Sequence, residues 1–527
     1  VRKPRDFRPR RADDRGMDIA PLELDQDACY RAVQTRDARW DGRIFGCVTS
    51  TGIYCRPVCP ARTPKRENMI FHPTAAACEA AGFRACLRCR PETAPDMGAW
   101  RGSSNTVSRA LALIEQGALD SSGETGGDVD GLAARLGVGE RQLRRLFRQH
   151  LGASPVGVAQ TRRVLLAKQL IHETGLPMAQ VALAAGFGSV RRFNETFQAL
   201  YGRPPMALRR RTAAPRGEAA GAVTLTLRYR PPYDWDGMIG FLAARAIPGV
   251  EVVTADRYAR TLTIDGTPGV VAVSRAGGDQ LAVEVRAPRL TVLPSILARV
   301  RRVFDLTADP ETIEAHLAKD PDLAWRVASR PGLRAPGAWD GLELGVRAIL
   351  GQQITVPAAV RLAGRLTQEY GEPLPEDLAE PELTHVFPSA ARLAAADIAG
   401  LGLMPGARAR AIGGLAAAVL ADPQLFGPRA SLEEAVAALR ALPGVGEWTA
   451  QYIAMRLLRE PDAFPAADVG LMRALADADG VRPTPAALLA RAEAWRPWRA
   501  YAALHLWASD PAAPRPAKRA GDARRAA

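Results

Sequence analysis

The sequence predicts a multidomain protein. It reads as a small α+β module organised around cysteines, an all-α module with two helix-turn-helix units, an α+β module with an antiparallel sheet, and an all-α module carrying a helix-hairpin-helix. Three observations predict it. All seven cysteines (Cys29, Cys47, Cys55, Cys59, Cys78, Cys86 and Cys89) fall within 61 of the 527 residues. A helix–glycine–helix pattern occurs twice, with its turn glycines, Gly137 and Gly186, 49 residues apart. Short β-type runs over 223–305 give way to Ala/Leu-rich helical periodicity over 306–508. The length itself suits three or four domains.

Four low-complexity stretches punctuate the chain: an Arg-rich 1–16, a Gly/Ser/Asp loop at 121–128, an Ala/Pro/Gly linker at 212–222 and an Ala/Pro/Arg tail at 509–527. Such compositions bury too little apolar surface to order themselves. The expected organisation is a basic disordered tail (1–19), the cysteine module (20–92), the helical module (105–211), a linker (212–222), the strand-rich module (223–305), the long helical module (306–508) and a disordered tail (509–527). No apolar run approaches the ~18 residues of a membrane helix, so no membrane partner is expected. Seven of the first fifteen residues are Arg or Lys and no apolar stretch follows them. That pattern argues against a secretory signal and for a cytoplasmic protein.

Net charge is +14, and it is unevenly placed. Residues 1–215 carry 34 basic and 21 acidic side chains, against 36 and 35 in the remainder. A basic half joined to a neutral half suggests a nucleic-acid-binding region fused to something else. The alternative is a merely soluble protein from an Arg-biased proteome, since 65 of the 70 cations are Arg.

In the cysteine module, Cys55-x3-Cys59 and Cys86-x2-Cys89 form two close pairs. In a cytoplasmic chain such pairs read as a tetrathiolate site for one zinc ion rather than as disulfides. A structural staple is the plainer reading of such a site. Cys29, Cys47 and Cys78 fall outside the pairs and read as core or surface thiols. In the helical module, Gly137 and Gly186 are each followed by an Arg-bearing amphipathic segment, Arg141-Gln-Leu-Arg-Arg-Leu-Phe147 and Arg191-Arg-Phe-Asn-Glu-Thr-Phe197. A second helix with basic outward positions is what enters a DNA major groove. Arg144, Arg145, Arg191 and Arg192 are the candidate phosphate or base contacts.

The strand-rich module alternates in runs such as Val223–Tyr229, Ala259–Ile264 and Leu281–Arg286. In the last module, Leu442-Pro-Gly-Val-Gly-Glu-Trp448 reads as a hairpin between two helices, whose Gly444 and Gly446 expose backbone N–H groups to a DNA phosphate. Asp468 stands twenty residues after Trp448. A hairpin followed by one Asp at about this distance marks helix-hairpin-helix base-excision glycosylases, although an isolated Asp is more often a helix cap. No Lys occurs between Lys319 and Lys518, so no amine is available there for a Schiff base. No Cys follows Cys89, which excludes an iron–sulfur cluster in this half.

These motifs carry three family resemblances. Asp41-Gly42, Thr49-Ser-Thr-Gly-Ile-Tyr-Cys-Arg-Pro-Val-Cys-Pro-Ala-Arg62, Arg66-Glu-Asn68 and Ala81-Gly-Phe-Arg-Ala-Cys-Leu-Arg-Cys-Arg-Pro91 resemble the N-terminal domain of the Ada adaptive-response family. The resemblance implies that a zinc-bound thiolate, Cys55, takes a methyl group from a methylated DNA phosphotriester, with Cys59, Cys86 and Cys89 as the other ligands. The methylated site carries one negative charge fewer, so DNA affinity is expected to rise. Arg56, Arg62 and Arg84 are candidate phosphate contacts. Residues 105–211, closing on Phe187-Gly-Ser189, Phe193, Phe197 and Tyr201-Gly-Arg-Pro-Pro205, resemble the double helix-turn-helix of the AraC family. The Pro-Cys-His-Arg motif of alkylguanine transfer is absent, so repair of O6-alkylguanine is not expected.

Residues 223–508 resemble the AlkA family of 3-methyladenine DNA glycosylases. The matching stretches are Pro231-Pro-Tyr-Asp-Trp235, Gly240-Phe-Leu-Ala-Ala-Arg-Ala246, Gly345-Val-Arg-Ala-Ile-Leu-Gly-Gln352, the hairpin, Trp495-Arg-Pro-Trp-Arg-Ala-Tyr501 and Leu504-His-Leu-Trp507. The resemblance implies a flipped nucleotide, aromatic rings at Trp448, Tyr452 and Trp507, and one catalytic carboxylate, Asp468. Gln353 stands where the family has an apolar wedge, and Val469 where it has an aromatic residue beside the Asp.

The combined expectation is an alkylation-response protein: a monofunctional glycosylase fused to a zinc–cysteine methylphosphotriester sensor and a transcription regulator. Its implied partners are double-stranded DNA, both alkylated and promoter, with RNA polymerase as a further candidate. The chain is read as a nucleoid-associated monomer. Two alternatives stand: a regulator whose glycosylase half has decayed, and an active glycosylase with a purely structural zinc site.

Overall fold

The computed structural model describes residues 24–95, 105–120, 128–209, 222–427, 429, 431–477 and 479–509. The expected basic tail at 1–19, nearly all of the 121–128 and 212–222 stretches, and residues 510–527 lie outside them. The chain divides into two compact units, residues 1–228 with 289–298, and residues 229–288 with 299–527. Among the described residues no helix is long and apolar enough to cross a membrane.

The first unit opens with α1 (Gln26–Thr35), whose N-terminal amides are capped by Asp25. It continues through β1 (Phe45–Val48), β2 (Ile53–Cys55), β3 (Met69–His72), α2 (Ala75–Ala80) and β4 (Arg84–Ala85). The four strands form one sheet in the order β3-β1-β2-β4, with β2 and β4 parallel. That parallel pairing matters for the site, because β2 ends on Cys55 and β4 leads directly into Cys86. Phe45, Cys47, Tyr54, Cys78, Phe83 and Ala85 close the core behind them.

The all-α part follows as α3 (Asn105–Glu115), α4 (Val129–Arg135), α5 (Glu140–Leu151), α6 (Pro155–Glu173), α7 (Met178–Ala184) and α8 (Val190–Tyr201). The α4–α5 and α7–α8 turns contain Gly137 at φ 69° and Gly186 at φ 85°. Both lie in the left-handed region that favours glycine, which is why the repeat was visible in the sequence. Helix α5 buries Leu143, Phe147 and Leu151, and α8 buries Phe193 and Phe197. Spacing of four residues sets each apolar row on one face and leaves the arginines on the other. Strand β5 (Ala222–Arg228) also belongs to this unit. Glu173 accepts from Thr226 N–H at 2.9 Å, and Gln169 donates to Thr226 O at 2.7 Å, so α6 holds the strand.

In the second unit, α9 (Trp235–Ala243) precedes β6 (Glu251–Val253), β7 (Arg257–Ile264), β8 (Thr267–Ala276) and β9 (Gln280–Arg286), antiparallel neighbours in sequence order. β7 and β8 meet through the two-residue turn Asp265-Gly266, with φ 50° and 67°, the mirror-image turn that matches strand twist. After α10 (Leu293–Val303), at which the unit boundary falls, come α11 (Pro310–Leu317), α12 (Pro321–Ser329), α13 (Gly341–Leu350), α14 (Val356–Tyr370), α15 (Ala390–Ala395) and α16 (Gly406–Ala421). The chain ends in α17 (Leu432–Arg440), α18 (Glu447–Arg456), α19 (Val469–Ala474), α20 (Pro485–Ala492) and α21 (Arg499–Ser509). Leu342, Val346, Ile349, Leu366, Ile412 and Leu415 form the core of α13, α14 and α16.

Candidate active site and metal centre

The hairpin at 442–446 joins α17 to α18. Gly444 has φ 81°, and a Cβ there would lie 2.6 Å from the Ala411 Cβ on α16, so backbone conformation and space both require glycine. Gly446 sits at the N-cap of α18 with open space around it. The Gln352 amide donates to the Gly444 carbonyl at 2.9 Å, and Arg408 holds the Gln352 carbonyl at 2.6 Å. Next to this tether, Gln353 is exposed at φ 59° on the turn between α13 and α14.

Trp448, Tyr452 and Arg456 fall four residues apart on α18 and so share one face. The Trp448 and Tyr452 rings stack at 5.0 Å with 12° between their planes. Asp468 N-caps α19, its Oδ1 accepting from Leu471 N–H at 2.9 Å. The same oxygen accepts from the Trp507 indole N–H on α21 at 2.8 Å, and Oδ2 accepts from the Trp448 indole N–H at 2.8 Å. Three N–H donors therefore fix both oxygens of a half-buried carboxylate. Capping α19 does not use up this carboxylate, because the same two oxygens also meet both indoles. The sequence assigned Trp448 and Trp507 to stacking alone; the structure adds that their N–H edges hold the carboxylate.

Two arginines lie close to the stack. Arg456 donates to the Tyr452 hydroxyl at 2.7 Å and lies 4.7 Å from the Phe241 ring centroid, while Arg245 lies 3.8 Å from that ring. Burial opposes ionisation of the Tyr452 phenol, but Arg456 and then Arg245 outweigh it and hold its pKa below the ordinary tyrosine value. Phe241, Arg245 and Arg456 were missed as site residues. Phe241 and Arg245 fall in the Gly240–Ala246 stretch, a family marker without assigned roles, and no sequence motif marks Arg456.

In the first unit, the Sγ atoms of Cys55, Cys59, Cys86 and Cys89 lie within 4.8 Å of one another. A tetrahedral zinc with ~2.3 Å bonds needs sulfurs about 3.8 Å apart, so small side-chain shifts bring all four onto one ion. Hydrogen bonding with Cys59, then Cys86, pushes the Cys55 thiol far up, whereas bonding from Cys55 pulls Cys86 far down. Four sulfurs this close contend for protons, and a divalent cation at their centre satisfies them all as thiolates. Backbone N–H groups of Arg56 and Arg88 reach the sulfurs of Cys89 and Cys86 at 3.4 and 3.3 Å. The donor set fits one zinc ion. Cys55 is half-buried and the other three are buried.

The expected phosphate contacts separate into distinct kinds. Arg56 is a correction: it is buried, ion-paired with Asp41 and bonded to the Cys89 carbonyl at 3.2 Å and Thr93 Oγ1 at 2.8 Å. The backbone turn that brings the cysteines together also draws Arg56 inward, so it braces the centre from within. Arg84 is half-buried, 5.9 Å from the Tyr201 ring. Arg62 is exposed. Arg144 and Arg191 are exposed and tied to Glu140 and Glu195 one turn away, Arg145 bonds Gln142 at 2.8 Å, and Arg192 is exposed. Such helix pairs are worth only ~0.3–0.5 kcal/mol, so a phosphate can displace them.

Family models match four successive segments: "Metal binding domain of Ada" at 28–92, "Helix-turn-helix domain" at 132–211, "AlkA N-terminal domain" at 224–340, and "HhH-GPD superfamily base excision DNA repair protein" at 346–500. The chain is 44% identical over 486 residues to the "Probable bifunctional transcriptional activator/DNA repair enzyme AlkA" of Mycobacterium tuberculosis, covering 92% of this chain and 96% of that one. It is 41% identical to "DNA-3-methyladenine glycosylase 2" of Escherichia coli, over 54% of this chain and 96% of that one. It is 34% identical to "Bifunctional transcriptional activator/DNA repair enzyme Ada" of Escherichia coli, over 31% of this chain and 43% of that one. With a zinc-fitting cysteine centre, paired helix-turn-helices and a hairpin followed by a clamped aspartate on one chain, this protein belongs to the bifunctional AlkA family of transcriptional activators and DNA repair enzymes.

Proposed function

We propose that this chain releases 3-methyladenine and other alkylated bases from double-stranded DNA by hydrolysis, with Asp468 as the catalytic carboxylate. The observation that carries the reading is the Asp468 carboxylate clamped by three N–H donors at the edge of the Trp448–Tyr452 stack. Alkylation at N3 or N7 makes a purine cationic and weakens its glycosidic bond. Electron-rich ring faces attract that cation by ~0.5–2 kcal/mol. The glycosidic bond breaks with its electron pair leaving on the base, and the fixed carboxylate stabilises the oxocarbenium that develops on the sugar. It then takes a proton as water adds to that carbon. Gly444 and Gly446 hold the phosphate backbone, and Gln353, presented by its tethered turn, fills the gap left by the flipped nucleotide. The test is base release from methylated duplex DNA, with the strand followed for cleavage. Release that leaves an intact abasic strand is expected, because no lysine lies between Lys319 and Lys518. Absence of release supports the decayed-enzyme alternative, and a borohydride-trappable adduct contradicts the mechanism.

The second part of the reading is methyl transfer to Cys55. Zinc, when bound, keeps the sulfur as a nucleophilic thiolate at neutral pH. The Cys55 sulfur attacks the methyl carbon of a methylphosphotriester; an S–C bond forms, the C–O bond breaks, and the electron pair stays on oxygen as a phosphodiester anion. What supports Cys55 over its neighbours is access, since it alone of the four is not buried. Arg62 sits at the exposed end of the same loop, while Arg144, Arg145, Arg191 and Arg192 approach promoter DNA from α5 and α8. Mass analysis after exposure to methylated DNA should find one methyl on Cys55. We assign the functional modules to 20–92, 105–211, 223–305 and 306–508, acting in a nucleoid-associated monomer that engages RNA polymerase at promoters.

A further inference from the structure

Helix α6 does more than join the two helix-turn-helix units: it is built into the back of the cysteine module. Thr161 on α6 donates its hydroxyl to Glu79 Oε2 at 2.7 Å, and Glu79 Oε1 accepts from the Tyr54 hydroxyl at 3.1 Å. Tyr54 is the residue before Cys55. Lys168 is wholly buried, donating to Glu92 Oε2 at 2.7 Å and to the carbonyl of Cys86 at 3.4 Å. Glu173 accepts from Arg90 at 2.8 Å, and Arg90 follows Cys89. Between these ties Leu165 packs on the core of Phe45, Tyr54 and Phe83. Three of the four cysteines are thus connected to one helix by hydrogen-bonded paths of one to three side chains, those for Cys55 and Cys89 starting at the adjacent residue.

The same helix enters the reading module. Ala159 lies in the core with Leu132, Leu143 and Phe147, the residues that seat α4 and α5. Arg163 donates to the Leu119 carbonyl at 3.2 Å, and Gln160 reaches Thr196 on α8 at 3.5 Å. A buried pair such as Lys168–Glu92 adds little net stability over apolar packing, because both ions lose their water. What it does supply is fixed geometry. Ties this deep are also beyond the reach of salt screening, unlike charges on the surface.

We propose that α6 is a strut that passes the state of the four-cysteine centre to both reading helices. Modification of Cys55 then changes DNA affinity by reordering α5 and α8 through Tyr54, Glu79 and Thr161, and not only by removing one negative charge beside phosphates. This inference rests on Cys55 as the methyl acceptor. Thr161, Glu79 and Lys168 are positioning residues in it.

The experiment uses the full chain and two variants chosen to fold. Thr161→Val keeps the side-chain shape and removes the donor. Lys168→Met combined with Glu92→Met removes the buried pair together, leaving no lone charge. Zinc content, thermal stability and Cys55 methylation are measured first. Affinity of methylated and unmethylated protein is then compared across salt, on a duplex selected from a random-sequence pool. At high salt the wild type should keep an affinity ratio of about fivefold or more, within the usual range of coupled sites, and both variants should fall close to one. A wild-type ratio that vanishes with salt, or variants that keep the full wild-type ratio, overturns the strut. If Cys55 gains no methyl in any protein, the acceptor reading fails instead. The strut is then judged by chelation: amide exchange in α6 should quicken in the wild type, and an unchanged α6 overturns it.

Discussion

Asp468 accepts from three N–H groups, two of them from tryptophans whose positions in sequence are 20 and 39 residues away. Asp468→Asn keeps the shape and removes the charge, so folding and DNA binding should persist. The side-chain amide nitrogen must then face one of those donors, and the oxocarbenium loses its counter-charge. Release of 3-methyladenine should fall by orders of magnitude, least for the most labile cationic bases; near-normal release would refute the assignment. The two tryptophans allow a finer test. Trp507→Phe keeps an aromatic ring and deletes one N–H to a charged acceptor, worth about 1.5–3 kcal/mol. A fall in kcat of about ten- to hundredfold with KM little changed would show the indole positioning the carboxylate. A rise in KM alone would return Trp507 to ring stacking only. Phe241, Arg245 and Arg456 show why this chemistry is only partly legible in sequence: nothing local distinguishes an arginine against a pocket ring from one in solvent.

At the scale of single elements, local rules account for much of the arrangement. Apolar spacing on α5 and α8, glycine at the turns, and Asp265-Gly266 between strands each act within a few residues, so each could be read from sequence. The hairpin before α18 is the sharpest case. Gly444→Ala forces a left-handed conformation on a residue with a Cβ and drives that Cβ into Ala411. Stability should drop by about 1–3 kcal/mol, seen as a lowered Tm. Affinity for undamaged duplex should weaken as well, because the hairpin N–H groups shift from the phosphate path. Equal affinity in a folded Gly444→Ala protein would remove the hairpin from the DNA interface. Arg56 is the element-scale reversal. Its motif promised a surface cation, but the loop between the cysteines closes on Asp41 and takes it inside.

At the scale of the whole molecule, pH dependence should bear the mark of buried groups in the second unit. Burial, then Arg330, pushes His505 down to about 4, so the folded protein refuses a proton that the unfolded chain accepts. Its neutral form is fully compatible with folding above pH ~6.5, and stability is lost as pH falls from there toward 4, by on the order of 3 kcal/mol. Glu343 acts lower: burial opposes its charge, but Arg260 and Arg347 outweigh this and hold it at about 2. Its contribution is complete above ~4.5 and is lost as pH falls toward 2. A Tm-against-pH series on His505→Gln should flatten the decline between pH 6.5 and 4 and leave the lower limb intact. An unchanged profile would mean that His505 is not buried neutral.

Sequence by itself determined the zinc-fitting cysteine pairs, the doubled helix-turn-helix, the antiparallel strands, the hairpin and the aspartate that follows it. Each depends on spacing along the chain, on backbone conformations open mainly to glycine, or on side-chain periodicity, and all of these are local. Only the tertiary structure decided which groups hold Asp468, which arginines face inward, and that α6 carries ties to three of the four cysteines. Those outcomes depend on burial and on hydrogen-bond partners tens of residues apart. Free energy there comes from which polar groups lose water together, and no pattern of neighbouring residues encodes that pairing.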